Sequence, residues 1–87
     1  MKTVFNPDEA MRFSKWLEEE NAQMLADLGN TVKAWNDFAL GWNDSKYNAY
    51  MRKLEENTLL LKTFSELADR YIAYLREKAR RTYEYFE

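Results

Sequence analysis

At 87 residues with a net charge of −2, the chain is a single small domain that carries no bulk charge to attract nucleic acid or anionic lipid. Its 46% hydrophobic and 16% aromatic content argues against disorder, and a chain this short buries only about 60–65% of its unfolded surface. The absence of Cys and His removes disulfides and the usual zinc, haem and iron–sulfur sites, so no metal or cofactor is expected.

The opening MKTVF is followed at once by Asn6, Pro7, Asp8 and Glu9, where a Sec signal would need an apolar stretch, so none is expected. These same four residues announce a helix. Asn6 can cap free backbone N–H groups, Pro7 suits the first helical position, and Asp8 and Glu9 favour the positive end of the dipole. The first helix is predicted over about residues 7–40. Leu17, Asn21, Met24, Leu28, Thr31, Trp35, Phe38 and Trp42 recur along it at steps of four and three, a heptad seam that Phe13 and Trp16 widen. Asn21 on this seam is a candidate for setting register. Gly29 reads as a tolerated residue or as a point of close helix approach.

A turn is predicted over residues 41–45, where Asp44 or Ser45 can cap the next helix. This second helix, over about 45–85, carries a seam of Tyr47, Tyr50 or Met51, Leu54, Asn57 or Thr58, Leu61, Phe64, Ala68, Tyr71, Leu75 and Ala79. Lys53, Glu55, Glu56, Lys62, Glu66, Asp69, Arg70, Arg76 and Glu77 read as its solvated exterior. The longest strongly apolar run, Leu59 to Leu61, is far short of a membrane span, and no integral span is expected.

The expected fold is therefore all-α, an antiparallel two-helix hairpin. Two helices in contact bury one narrow stripe each, whereas these stripes hold three Trp, five Phe and six Tyr among them. Left open, they exceed the apolar patch that a soluble monomer tolerates. Pairing with another hairpin is expected, as a homodimer or as a heterodimer with a similar chain, giving a four-helix bundle. Trp35, Phe38, Tyr47, Tyr50, Leu54 and Leu61 are the expected packing residues of that bundle. Met11, Met24 and Met51 fit as adaptable fillers.

Catalysis finds no support. Ser14, Ser45 and Ser65 lack a His or Cys partner, and no Gly-rich phosphate loop exists. The runs Glu18-Glu19-Glu20 and Glu55-Glu56 diverge around their helix axes rather than converging on one reacting atom. The basic cluster Arg76, Lys78, Arg80 and Arg81 complements the C-terminal end of a helix dipole, and nucleic acid is not an expected partner.

Trp42 at the central turn, followed by Tyr47 and Tyr50 at five and eight positions and by Leu54 at the next apolar step, resembles the WXG100 family, the ESAT-6-like proteins. Asp44 stands where that family's motif has Gly, so the turn reads Trp-Asn-Asp. An Asp there can cap the second helix. Tyr83 and Glu87 also resemble the family's C-terminal Tyr-x-x-x-Asp/Glu export signal. The resemblance implies a small secreted protein without enzymatic activity. It would be a substrate of a type VII (ESX) secretion system, or a partner or chaperone of one, held in the bacterial cytoplasm before export and offered to a secretion ATPase through its C-terminal tail. The alternatives are a structural subunit of a polymeric assembly such as a secretion needle, or a helical adaptor module.

Overall fold

The computed structural model describes residues 4–40 and 45–86. It is an all-α hairpin of two antiparallel helices, α1 (Pro7–Phe38) and α2 (Ser45–Phe86). The described part measures 64 × 22 × 19 Å, the proportions of a rod two helices wide. The start of α1 is built as its composition predicts. Asn6 accepts from the Glu9 backbone N–H at 3.2 Å, Pro7 occupies the first turn, and Asp8 and Glu9 come next. The end is marked by Ala39, whose N–H donates to the Trp35 carbonyl at 2.9 Å. Ser45 is the first residue of α2. Trp42 and Asp44 lie outside the described residues, as does Glu87.

The register of the hairpin is visible in its cross-chain contacts: Asp8 stands level with Tyr83, Ser14 with Arg76, and Asn21 with Asp69. The seam itself departs from the expected one in its choice of side chains. On α2 the buried line is Ser65, Ala68, Ile72, Leu75 and Ala79, with Met51, Leu54 and Thr58 half-buried above it. Phe64 and Tyr71, expected on this line, are one residue out of phase and stand about half exposed. Of the alternatives at the top of α2, Met51 and Thr58 turn inward while Tyr50 and Asn57 remain exposed.

On α1 the expected Leu17, Asn21, Met24, Leu28 and Trp35 do lie on the seam, with the smaller Ser14 and Ala39 buried beside the exposed Phe13 and Phe38. Ala10, Ser14 and Asn21 are buried, and Leu17, Met24 and Leu28 are half-buried. Beyond Leu28 the seam continues through Val32, Trp35 and Ala39 rather than through Thr31 and Phe38. Phe38 is 75% exposed. An α-helix advances 3.6 residues per turn, so a strict 3.5-residue repeat drifts by about 20° per heptad, and over α1 that drift moves the seam on by one residue. Gly29 is no point of close approach, because a Cβ built there meets nothing within 4 Å.

Candidate interaction surface

Helical phase and contacts together divide the hairpin into two faces. One face is a polar clasp. Arg76 donates through Nε to Ser14 Oγ at 3.2 Å and through Nη1 to Glu18 Oε2 at 3.0 Å. Two turns from the Ser14–Arg76 contact, Asn21 Nδ2 donates to Asp69 Oδ1 at 3.1 Å and reaches the Ser65 carbonyl at 3.4 Å. Ser14 is fully buried and its hydroxyl donates to the Met11 carbonyl, so its oxygen is committed to structure. Asn21 Oδ1 and Trp35 Nε1 are buried without a hydrogen-bond partner. A polar layer of this kind favours one register over its neighbours, since a slip leaves its donors and acceptors unpaired.

The other face is aromatic. On α1, Phe13, Glu20 and Asp27 follow one another every seven residues, with Trp16 beside them. On α2, Phe64, Tyr71 and Lys78 do the same, with Leu60, Leu67 and Tyr74 alongside. Both stripes come to the same side of the hairpin. A groove of about 500 Å³ runs between the helices there, with Glu20, Met24, Asp27 and Thr31 on one bank and Asn57 and Leu61 on the other. The rings of Phe13 and Trp16 lie 5.7 Å apart, and those of Tyr71 and Tyr74 are stacked at 6.2 Å. Lys78 Nζ closes the lower end, 4.6 Å from the Phe5 ring centroid.

Phe13, Trp16, Phe64, Tyr71 and Tyr74 are each about half exposed. At roughly 200 Å² per ring they leave about 500 Å² of aromatic surface in water, before Leu60 and Leu67 are added. The largest apolar patch of an ordinary monomer is about 300–600 Å² in all. The whole chain agrees with this local count. Its accessible surface is 7368 Å², whereas a compact monomer of 10.5 kDa has roughly 5,400 Å².

The expected packing residues are not gathered into one site. Leu54 and Leu61 border the groove of the aromatic face. Leu54 also borders a second groove of about 380 Å³ on the clasp side, with Val32, Met51 and the exposed Leu59. Trp35 and Tyr47 are half-buried near the turn, and Tyr50 and Phe38 are exposed. The expected export residue Tyr83 lies inside α2, and its hydroxyl donates to the Asp8 carboxylate at the start of α1. That bond to a carboxylate, which favours the protonated phenol, raises the Tyr83 pKa above its ordinary value.

Sequence reasoning placed Phe64 and Tyr71 in the interior, and did not single out Leu60, Leu67 or Tyr74 at all. The signal for them was present: they keep the seam's own heptad, displaced by one residue. Near the C-terminal end of α2, Glu77 accepts from Arg80 at 2.6 Å and from Arg81 at 3.1 Å, and Arg80 also meets Glu84 at 2.6 Å. The Arg80 hydrogen bond is the main cause that holds the Glu77 pKa down at about 2. Among the described residues no group of acidic side chains could hold a metal ion, and no helix is long and apolar enough to cross a membrane. No family model, curated protein or solved structure matches this chain.

Proposed function

We propose that the protein works by protein–protein association. The aromatic face of the hairpin pairs with a second helical hairpin, a copy or a similar chain, to form a four-helix bundle. The observation that carries this is the exposed face itself, whose rings alone expose area comparable to a monomer's largest patch, on a chain with about 1,900 Å² more surface than its mass calls for. In the setting that the WXG100 resemblance implies, the bundle is the substrate of a type VII secretion system or the partner of one, and no reaction is catalysed.

The C-terminal export signal belongs to the same proposal, with a structural condition attached. Tyr83 is engaged with Asp8, so an export ATPase that reads Tyr83 must accept it on a helix or first release it from α1. In a host with a type VII system, Tyr83→Ala and deletion of Glu87 are expected to abolish export while the circular dichroism of the purified proteins stays helical. Undiminished secretion of both variants overturns the export role and leaves the pairing untouched.

One observation favours a second reading, the subunit of a polymeric assembly: a second groove lies on the clasp side near Leu59. A subunit with apolar surface on two faces can add neighbours in series. Filaments that lengthen with concentration support that reading, and a discrete dimer at all concentrations removes it.

A further inference from the structure

The hairpin divides lengthwise as well as by face. Among the described residues, every buried one except Ala39 lies toward the chain ends, between Ala10 and Asn21 on α1 and between Ser65 and Ala79 on α2. The bonds described above between the two helices lie in this terminal half too, and those of Asn21 to Asp69 and the Ser65 carbonyl are the nearest of them to the turn. Beyond that layer the packing changes. From Ala22 to Phe38 and from Ser45 to Phe64 no residue is buried, and the seam side chains Leu28, Val32, Met51, Leu54 and Thr58 are only half-buried. Grooves of about 500, 380 and 250 Å³ open along this half, and Leu54 and Thr58 border the first two, one on each face. Trp35 Nε1 is enclosed there without a hydrogen-bond partner, a donor that opening returns to water.

The local chemistry of the helices follows the same division. Gly29, Asn30, Thr31 and Val32 are four successive residues of low helix propensity, and they sit in α1 just past the Asn21 layer. The last turn of α1 carries Asp37 and no cation, and the first turn of α2 carries Lys46 and no carboxylate, so both charges oppose the helix dipoles that meet at the turn. The start of α1, in the terminal half, has its Asn6 cap with Asp8 and Glu9 behind it.

We propose that the turn half is a separate unit of opening. The part of α1 beyond Met24 and the part of α2 before Leu61 unwind and re-form together while the terminal half stays clasped, with the Asn21 layer as the boundary between them. Opening frees the inner side chains Leu28, Val32, Met51 and Leu54 while the clasp of Arg76 keeps the helices in register. A binding partner then meets the seam of that half as well as the outer face. This property belongs to the single hairpin, so it goes beyond the association proposed above and does not require it.

Amide hydrogen exchange on the dilute chain, at a concentration where sedimentation shows a monomer, tests it. The first four N–H groups of each helix are set aside because they lack intrahelical acceptors. After correction for intrinsic rates, the amides of residues 28–38 and 49–62 are expected to exchange at least about tenfold faster than those of residues 11–21 and 68–80. Equal protection along both helices overturns the proposal, as does slower exchange in the turn half or no protection anywhere. Thr31→Pro gives a second reading, since Thr31 is exposed and the substitution breaks α1 within the turn half alone. Its expected result is free exchange in the turn half with the terminal half still protected. Loss of protection in both halves together makes the hairpin one cooperative unit and overturns the division.

Discussion

Replacing Phe64 with Ala separates pairing from folding, because Phe64 belongs to the outer stripe of α2 while Ile72 belongs to the inner one, the seam. Phe64 is 55% exposed in the hairpin, so a partner covers about 110 Å² of a ring of roughly 200 Å². At about 25 cal/mol per Å² that coverage contributes a little under 3 kcal/mol, of which Ala retains a part, leaving about 2 kcal/mol per ring. A two-fold dimer loses two rings. The expected cost is about 4 kcal/mol, a weakening of the dimer Kd by about a thousandfold. Ile72→Ala is the contrasting perturbation. Ile72 is 5% exposed, and truncating it removes packing within the hairpin at about 2–5 kcal/mol. Sedimentation equilibrium across a concentration series reads the Kd, and the ellipticity of the dilute protein reads the hairpin. The reasoning fails if Phe64→Ala leaves the Kd within a few-fold of the parent. It fails equally if Phe64→Ala unfolds the dilute chain as far as Ile72→Ala does, for Phe64 would then be a core residue.

Gly29→Ala is expected to stabilise the hairpin by about 0.5–1 kcal/mol, seen as a rise in Tm of a few degrees, because the added methyl meets open space in mid-helix. For Glu77, the pKa held at about 2 means that its contribution is present above the ordinary value of 4.5 and is lost as pH falls toward 2. Carboxyl NMR of Glu77 should show a midpoint near 2 in the parent chain, moving back toward 4.5 in Arg80→Ala; an unmoved midpoint removes Arg80 as the cause. Tyr83 behaves with the opposite sign. Its raised pKa makes the clasp with Asp8 fully present below about pH 10 and lost as pH rises through the folded value. In alkaline absorbance titration the raised phenol transition should disappear in Tyr83→Phe and move to lower pH in Asp8→Asn.

The helices were legible in the sequence because their signals are local: the Asn6 cap with Pro7 behind it, the carboxylates of the first turn, and the unbroken period of three and four. Asn21 was legible as a register-setting residue from its seam position, and the structure gives it a partner forty-eight residues away in Asp69. On the inner stripe of α2, Ala68, Leu75 and Ala79 were legible, whereas Phe64 and Tyr71 were read in place of Ser65 and Ile72 for a physical reason. Two heptads run side by side there, Ser65, Ala68, Ile72 and Leu75 in one, and Phe64, Leu67, Tyr71 and Tyr74 in the other. Hydrophobic size favours the second for the core. Close approach of two helices favours the first, since small side chains let the backbones come together and a ring between them would hold them apart. The clasp of Arg76 on Ser14 and Glu18 carries no local signal, because each partner alone is an ordinary surface or helix residue.

Small residues inside and rings outside are two aspects of one design. Among the described residues the buried apolar ones are Ala10, Ala39, Ala68, Ile72, Leu75 and Ala79, of which four are alanines. An alanine gives little area to the hydrophobic term, which scales with apolar surface removed from water. Against this stands the cost of ordering two long helices, about 1–2 kcal/mol of backbone entropy for every residue fixed. The alanine seam therefore fixes how the two helices lie together and contributes little to holding them there. The larger apolar side chains, Trp16, Leu60, Phe64, Leu67, Tyr71 and Tyr74, are stored on the aromatic face, where their area is recovered only when another hairpin arrives. Such a chain is half of a bundle, and its folding and its pairing draw on the same surface. The polar clasp suits that role, since it holds the hairpin in register while the aromatic face is still open.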